Sequence, residues 1–527
     1  MNLLTDAWIP VTRQDQRLDL IAPAQLTECV NPIIELTAPR PDFRGALYQF
    51  LIGLLQTTFA PADADNWAEL LHTPPSAEEL NQYFYVFSDA FHLLNPKGPA
   101  FFQDFEVLDD EPKEINTLLI DAPGSQTLKN NLDHFVKRGM VEGLCASCTA
   151  TALFTLQTNA PSGGAGHRVG LRGGGPLTSL LLPDNPEATL WQKLWLNVLS
   201  EEALVAKIDQ ATAAVFPWLG PTRVSRSDGI ETQPADVHLL QAYWGMPRRI
   251  RLEAGTETGC CSLCGQHSAA LIRHYRTKNY GTNYTGDWQH PLTPYRYDPK
   301  KMALPLSLKG QQGGLGFRHW LGLVWQDPGN SDQCAQVVRD YYDKILCNTD
   351  LDAARLWIFG YDMDNMKARC WYEQTMPFIA LTEERDLFFQ HVFDLINAAR
   401  DVLKELRTQI KTAWFKRPKD VSGDLSAIDH SFWEATEACF YQQLPKLLVP
   451  EGEGRFMPMA VAAQWHAHIK QVALRLFDSW VLSDGDEAAC IKRIVKARID
   501  LKERLPKLKS VKILAEGLLT RIESTLL

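Results

Sequence analysis

Beyond residue 376 the apolar residues of the chain recur with a helical period. In TEERDLFFQHVFDLINAARDVLKELRTQIKTAWF, the residues Phe388, Val392, Leu395, Ala399, Val402 and Leu406 fall three or four positions apart. That spacing gathers side chains on one face of a helix. Thr382, followed by Glu383 and Glu384, supplies a start signal. KRPKDVSGD breaks the pattern. A second periodic run covers residues 432–448 and stops at Pro450, and a third covers 460–482 before SDGD. A fourth begins near Glu487, is interrupted at Pro506 and has a helical tail. Helices joined by short connections predict an up-and-down four-helix bundle over residues 377–527.

Residues 1–376 have a different texture. Short apolar runs alternate with Pro-, Gly- and Asn-rich connections such as LNPKGPAFFQDFEVLDDEP and LIDAPGSQTLKNN. This predicts a large, irregular α+β domain with several long loops. ALYQFLIGLLQTTFA reads as a buried helix, and CTATALFTLQTNA as another helix. There is no internal repeat and no low-complexity tract.

Length and composition narrow the class. A chain of 527 residues, 45% hydrophobic and 22% charged, has the make-up of a soluble globular protein. MNLLTDAWIPVTRQ lacks the basic and apolar regions of a signal peptide, and no run of eighteen apolar residues exists to span a membrane. The expected compartment is the cytoplasm, where the eleven cysteines are thiols or metal ligands rather than disulfides. A net charge of −10 argues against a generally sticky nucleic-acid binder but leaves room for a local basic surface. Basic residues gather in FVKR (135–138), MPRRIRL (246–252), IRHYRTK (272–278) and from Ile491 onward.

Candidate chemistry begins with two C-x-x-C pairs, Cys145/Cys148 and Cys261/Cys264. Each can place two thiolates in a tight turn, and two such knuckles complete a tetrahedral zinc site. Over a hundred residues separate them, so the zinc would staple distant segments together, and a closed four-cysteine site would be structural. The competing readings are two unrelated knuckles or a redox pair. Cys260 is a spare ligand. Cys29, Cys334, Cys347, Cys370, Cys439 and Cys490 stand singly and are expected to be buried thiols. His290 reads as a structural loop residue.

The second candidate is APSGGAGHRVGLRGGGP, residues 160–176, with seven glycines. It matches neither a Walker A loop nor a dinucleotide fingerprint. Surface turns are the plain alternative. A shared metal would bring this stretch beside the basic segment after Cys264, a pairing suited to a narrow anionic groove.

MNLLTDAWIPV, CASCTATALFTLQTNAP, GLRGGGPLT, CSLCGQ, GDWQHPLTPY and FGYDMDNMKARCW together make the chain resemble the CasA family, the large subunits of type I-E CRISPR surveillance complexes (Cascade). The resemblance implies a non-catalytic subunit. Its partners would be the other Cascade subunits, the guide RNA, double-stranded target DNA and a helicase–nuclease effector, with no membrane role. The N-terminal domain would recognise the protospacer-adjacent motif (PAM) from the minor groove, and the helical bundle would help hold the DNA. Carried over, the glycine loop falls on Ser162, Gly163, Gly164, Ala165 and Gly166, and the PAM-reading lysine on Lys278. The strand-opening wedge falls on Asn365 and Met366, where the family pattern has glutamine. A loop meeting the guide RNA and neighbouring subunits falls on Phe135, Val136 and Lys137. In the bundle, Lys496 and Arg498 would contact the DNA backbone.

The minor groove is about 6 Å wide and offers mainly acceptors, so bare backbone and a lysine suit it. A wedge there would begin strand opening. The alternatives are a zinc-assisted nuclease or hydrolase, against which no H-E-x-x-H or G-x-S-x-G stands in the chain, and a scaffold with no nucleic-acid role.

Overall fold

The computed structural model describes all residues except 97, 125–127, 131–138, 165, 227–228, 348–352, 365–366, 380, 382–384, 421, 449–456, 483–489 and 515–527, and the side chains of 345–347. The chain divides into two compact units: residues 1–310 with 331–378, and residues 311–330 with 379–527. The expected cap Thr382 lies outside the described residues.

The first unit begins with an antiparallel sheet in which β1 (Ile9–Arg13) pairs with both β2 (Leu18–Ile21) and β3 (Ile33–Leu36). Helix α1 (Pro41–Thr58) follows, with Pro41 at its first position, where a missing N–H costs nothing. Almost every residue of α1 is buried, as its unbroken apolar run demands. Phe50 on α1 meets Trp8, Phe91, Phe101, Phe154 and Trp244 edge-on, with centroids 5.5–6.2 Å apart. These edge-to-face pairs add to the area buried and form the centre of the core.

Helix α2 (Ala146–Asn159) packs against α1 and carries Phe154 into that cluster. Its Thr and Gln residues are buried but satisfied: Thr149, Thr151 and Thr155 donate to carbonyls one turn back. The glycine-rich segment leads from α2 to β4 (Thr178–Pro183). Strands β5 (Arg249–Leu252) and β6 (Glu257–Cys260) follow, then β7 (His267–Leu271) and β8 (His274–Lys278). β6 and β7 form a hairpin around the second cysteine pair, while β5 and β8 pair antiparallel, setting Lys278 opposite Arg249. The unit closes with two eleven-residue strands, β9 (Ala354–Asp364) and β10 (Lys367–Pro377), in a sheet ordered β10-β9-β4. Their last described pair is Asp364 opposite Lys367.

The second unit holds four long helices: α3 (Arg385–Trp414), α4 (Ser426–Gln443), α5 (Met459–Leu482) and α6 (Ile491–Arg504). α3 packs on α5 and α6, and α4 packs on α5. All six residues expected on the inner face of α3 are buried. Residues 311–330, which the sequence assigns to the N-terminal domain, belong to this unit because Phe317 plugs the helices. It stacks on Phe440 at 4.4 Å and meets Trp433 at 5.1 Å. Arg400 on α3 fastens the segment through Asp327 at 3.0 Å.

Candidate functional site

The two C-x-x-C pairs meet. Cys145 stands at the N-cap of α2 and accepts the Cys148 N–H at 3.4 Å. Cys261 and Cys264 lie in the β6–β7 turn, held by Cys261 N–H to Gln266 and Gly265 N–H to Cys261. Gly265 takes φ +73, which closes the knuckle behind the last cysteine. All four Sγ atoms lie within 4.8 Å of one another, and Cys145 and Cys264 are 3.7 Å apart. Tetrahedral thiolates about 2.3 Å from one ion would be separated by about 3.8 Å, so the residues fit such a metal. Crowding splits the thiols. Cys148 is pushed far up, first by hydrogen bonding with Cys145 and then with Cys261. Cys261 is pushed down, first by the bond with Cys145 and then by that with Cys148. Cys260 is exposed and outside the cluster. The expectation of buried single thiols holds for Cys334 but not for Cys29, Cys370 or Cys490, which are exposed, or Cys439, which is half-buried. Cys370 sits on β10, all but one of whose residues are exposed or half-buried, and Cys490 precedes α6. Cys347 lies outside the described side chains.

The glycine segment folds into two parts. Its first part is a tight loop: Gly163 N–H donates to His167 and His167 N–H to Gly164. Most of the seven glycines are required by packing inside the protein. A Cβ on Gly163 would lie 2.7 Å from the Arg248 guanidinium and from His167. On Gly174 it would lie 2.9 Å from Pro161, and on Gly175 it would lie 2.7 Å from Met363 and 2.9 Å from the Tyr361 carbonyl of β9. Gly164 differs, because its φ of +73 is left-handed and, among the described residues, an added Cβ would meet nothing within 4 Å beyond its chain neighbours. It is the free tip of the loop. Ala165 lies outside the described residues.

The loop is anchored from below. Arg248 donates to the Pro161 carbonyl, and among the described residues its buried Nε has no hydrogen-bond partner. Burial pulls Arg248 down to about 10; burial and then Arg248 pull His167 down to about 4, so the imidazole is neutral. Arg172 is buried and, among the described residues, pairs with no carboxylate: it donates to Gln49 at 2.6 Å, Thr293 at 3.0 Å and Thr178 at 3.2 Å. It thereby ties the second part of the segment to α1 and β4. His290 is buried, with Nδ1 accepting from the Leu292 N–H, a structural role.

In two of the basic clusters the arginines are largely engaged by partners within the protein. Arg249 pairs with buried Asp104 at 2.5 Å and with Glu106 at 3.0 Å. Arg251 donates to the carbonyls of Asp104 and Asn95. Arg273 and Arg276 pair with Glu257 and Glu253. Among the described residues Lys278, at the end of β8, has no ion pair. Two residues on, Tyr280 N–H donates to the Gly166 carbonyl at 2.8 Å, joining this strand end to the glycine loop. On α6, Lys496 is exposed, whereas Arg498 grips Asp478 of α5 with bonds of 2.6 and 2.8 Å. Phe135, Val136, Lys137, Asn365 and Met366 lie outside the described residues. Sequence reasoning missed Arg248 and Tyr280. The first was hidden among basic neighbours, and the only trace of the second is a turn-forming N-Y-G.

The fold is that of solved CRISPR-associated CasA and Cse1 proteins. It matches Thermus thermophilus CasA with a TM-score of 0.69 at 15% identity, covering 96% of this chain and 100% of that one. It matches Thermobifida fusca Cse1 with a TM-score of 0.70 at 16% identity, covering 97% and 98%. A chain of a CRISPR RNA-guided surveillance complex matches with a TM-score of 0.68 at 16% identity, covering 96% and 99%. The chain belongs to the CRISPR-associated protein Cse1 family, whose model matches residues 2–476.

Proposed function

We propose that this chain is the large, non-catalytic subunit of an RNA-guided Cascade complex and reads the PAM of duplex DNA from the minor groove. The observation that carries the reading is the pairing of a free left-handed glycine tip with an unpaired lysine. Gly164 faces open space, and Lys278 is the one lysine of the adjoining β8 end and has no ion pair among the described residues. Backbone N–H groups at the tip reach base edges without a side chain to strike the groove walls. Lys278 donates to adenine N3 or thymine O2. Several PAM sequences are tolerated because minor-groove readout is degenerate.

Asn365 and Met366, between β9 and β10, act as the wedge that unstacks the first pair, after which the guide RNA reads the target by pairing. Phe135, Val136 and Lys137 meet the guide RNA and neighbouring subunits. The four C-terminal helices form a bundle that holds the DNA backbone through exposed lysines such as Lys496. Arg498 serves there through its pair with Asp478. The subunit also helps recruit the helicase–nuclease. The four cysteines hold a structural Zn²⁺; four sulfur ligands leave no open position for a reacting water.

The test is binding of duplex targets by the assembled complex. Without this chain, binding of PAM-bearing duplex is lost. With Lys278→Ala, affinity falls by about 1–3 kcal/mol for some PAM sequences and little for others. Uniform loss, or none, refutes the lysine's role.

A further inference from the structure

Tyr280 occupies a backbone conformation that aromatic residues avoid. Its φ is +63, in the left-handed region where a Cβ crowds the chain. Two bonds hold it there. Its N–H donates to the Gly166 carbonyl at 2.8 Å, and its carbonyl accepts from the Ser225 N–H at 3.1 Å. Its ring lies against the loop: a Cβ on Gly166 would come within 2.9 Å of Tyr280 Cδ1. Gly281 follows with no room for a side chain beneath the Pro247 carbonyl.

A turn of this kind is served at least cost by glycine or asparagine. A ring that only supported the loop would be covered by it. Tyr280 is instead 40% exposed, and among the described residues its hydroxyl has no hydrogen-bond partner. The strained position therefore displays a phenol beside Gly166, two positions from the Gly164 tip and two residues beyond Lys278. A phenol both donates and accepts. It can serve the acceptors that every minor-groove pair presents, and also the guanine amino group, which a lysine cannot accept from.

We infer that Tyr280 is a further specificity-determining residue, whose hydroxyl contacts a base edge in the minor groove next to the pair read by Lys278. This rests on the DNA-facing reading of the loop. The hydroxyl extends that site from acceptors alone to discrimination of guanine.

Tyr280→Phe tests it, since it keeps the ring, the backbone and both main-chain bonds. Complexes carrying the native chain, Tyr280→Phe or Gly164→Asn are compared on duplexes with varied PAM pairs. A parallel set has inosine in place of each PAM guanine, which removes the amino group alone. Tyr280→Phe is expected to raise Kd about fivefold to tenfold on a subset of PAM sequences, and to abolish the native response to inosine at one pair, with an unchanged melting temperature. Native binding by Tyr280→Phe alongside impaired binding by Gly164→Asn overturns the inference and leaves the loop reading standing. Native binding by both variants overturns both. Uniform weakening with the inosine response intact also overturns the base-edge contact.

Discussion

At the scale of single residues, the glycine segment separates two demands that sequence alone presents as one. Gly163, Gly174 and Gly175 are small because arginine, proline, methionine and backbone press against them. Gly164 meets no such packing: it takes a left-handed φ of +73 with open space about it, which suits the groove-reading role proposed for it. The difference is measurable. Gly164→Ala meets no atom and carries only the left-handed penalty, about 1 kcal/mol. Gly166→Ala carries that penalty at φ +79 and also drives a Cβ to 3.0 Å from the Tyr280 backbone nitrogen, so it is expected to cost about 2–3 kcal/mol. Denaturant unfolding of the purified chain checks the order; equal costs would mean that the loop is not seated on Tyr280. In binding, the order reverses. Gly164→Asn tolerates the left-handed conformation yet fills the tip, so it leaves stability near native while weakening duplex binding.

At the scale of elements, the four-cysteine cluster joins the start of α2 to the β6–β7 turn, two segments more than a hundred residues apart in the chain. The spacing made it readable, because C-x-x-C constrains geometry locally and thiols in pairs have few other uses. The basic clusters were not readable in the same way. MPRRIRL looks like an electrostatic surface, but Asp104, Glu106 and main-chain carbonyls absorb Arg249 and Arg251, and ion pairing across 145 positions leaves no local mark. Residues 311–330 misled for a related reason: Phe317 declares its allegiance only once Phe440 and Trp433 are in place. The long apolar period of α3 and the unbroken run of α1 were legible because burial of one or all faces writes itself directly into sequence. The proposed zinc gives a direct test of the staple. The chain should carry about one zinc, and Cys261→Ser should remove it and destabilise the first unit more than the helical unit. Thiolate ligands must be deprotonated, so occupancy should persist at neutral pH and fall on acidification, together with the melting temperature of the first unit. Freshly purified chain without metal, or native occupancy in Cys261→Ser, would count against the centre.

At the scale of the first unit as a whole, the glycine segment and the β9–β10 hairpin are built as one body. Gly175 lies under the Tyr361 carbonyl and Met363, and Gly310 bridges to Asp362. Across the hairpin, Arg369 clasps Asp362 with bonds of 2.7 and 3.1 Å, just short of the Asp364–Lys367 pair. The segment that carries the proposed reading loop and the described strands that lead toward residues 365–366 therefore pack on one another, and under the proposed reading this contact would coordinate reading with opening. That arrangement predicts separable defects. Replacing Asn365 and Met366 with alanine should leave the first contact with PAM duplex intact and slow strand opening. Arg369→Ala, which loosens the arms without touching the proposed wedge, should do the same in milder form. Each complex is measured on a fully paired target and on one carrying a pre-opened bubble beside an intact PAM. The bubble supplies the unstacking that the wedge would perform, so it should restore the wedge and Arg369 variants to native rates. It should not restore Gly164→Asn or Lys278→Ala, whose loss precedes opening. If the bubble rescues all of them alike, the glycine loop and lysine act in opening rather than in reading. If it rescues none, the hairpin end has no part in separating the strands.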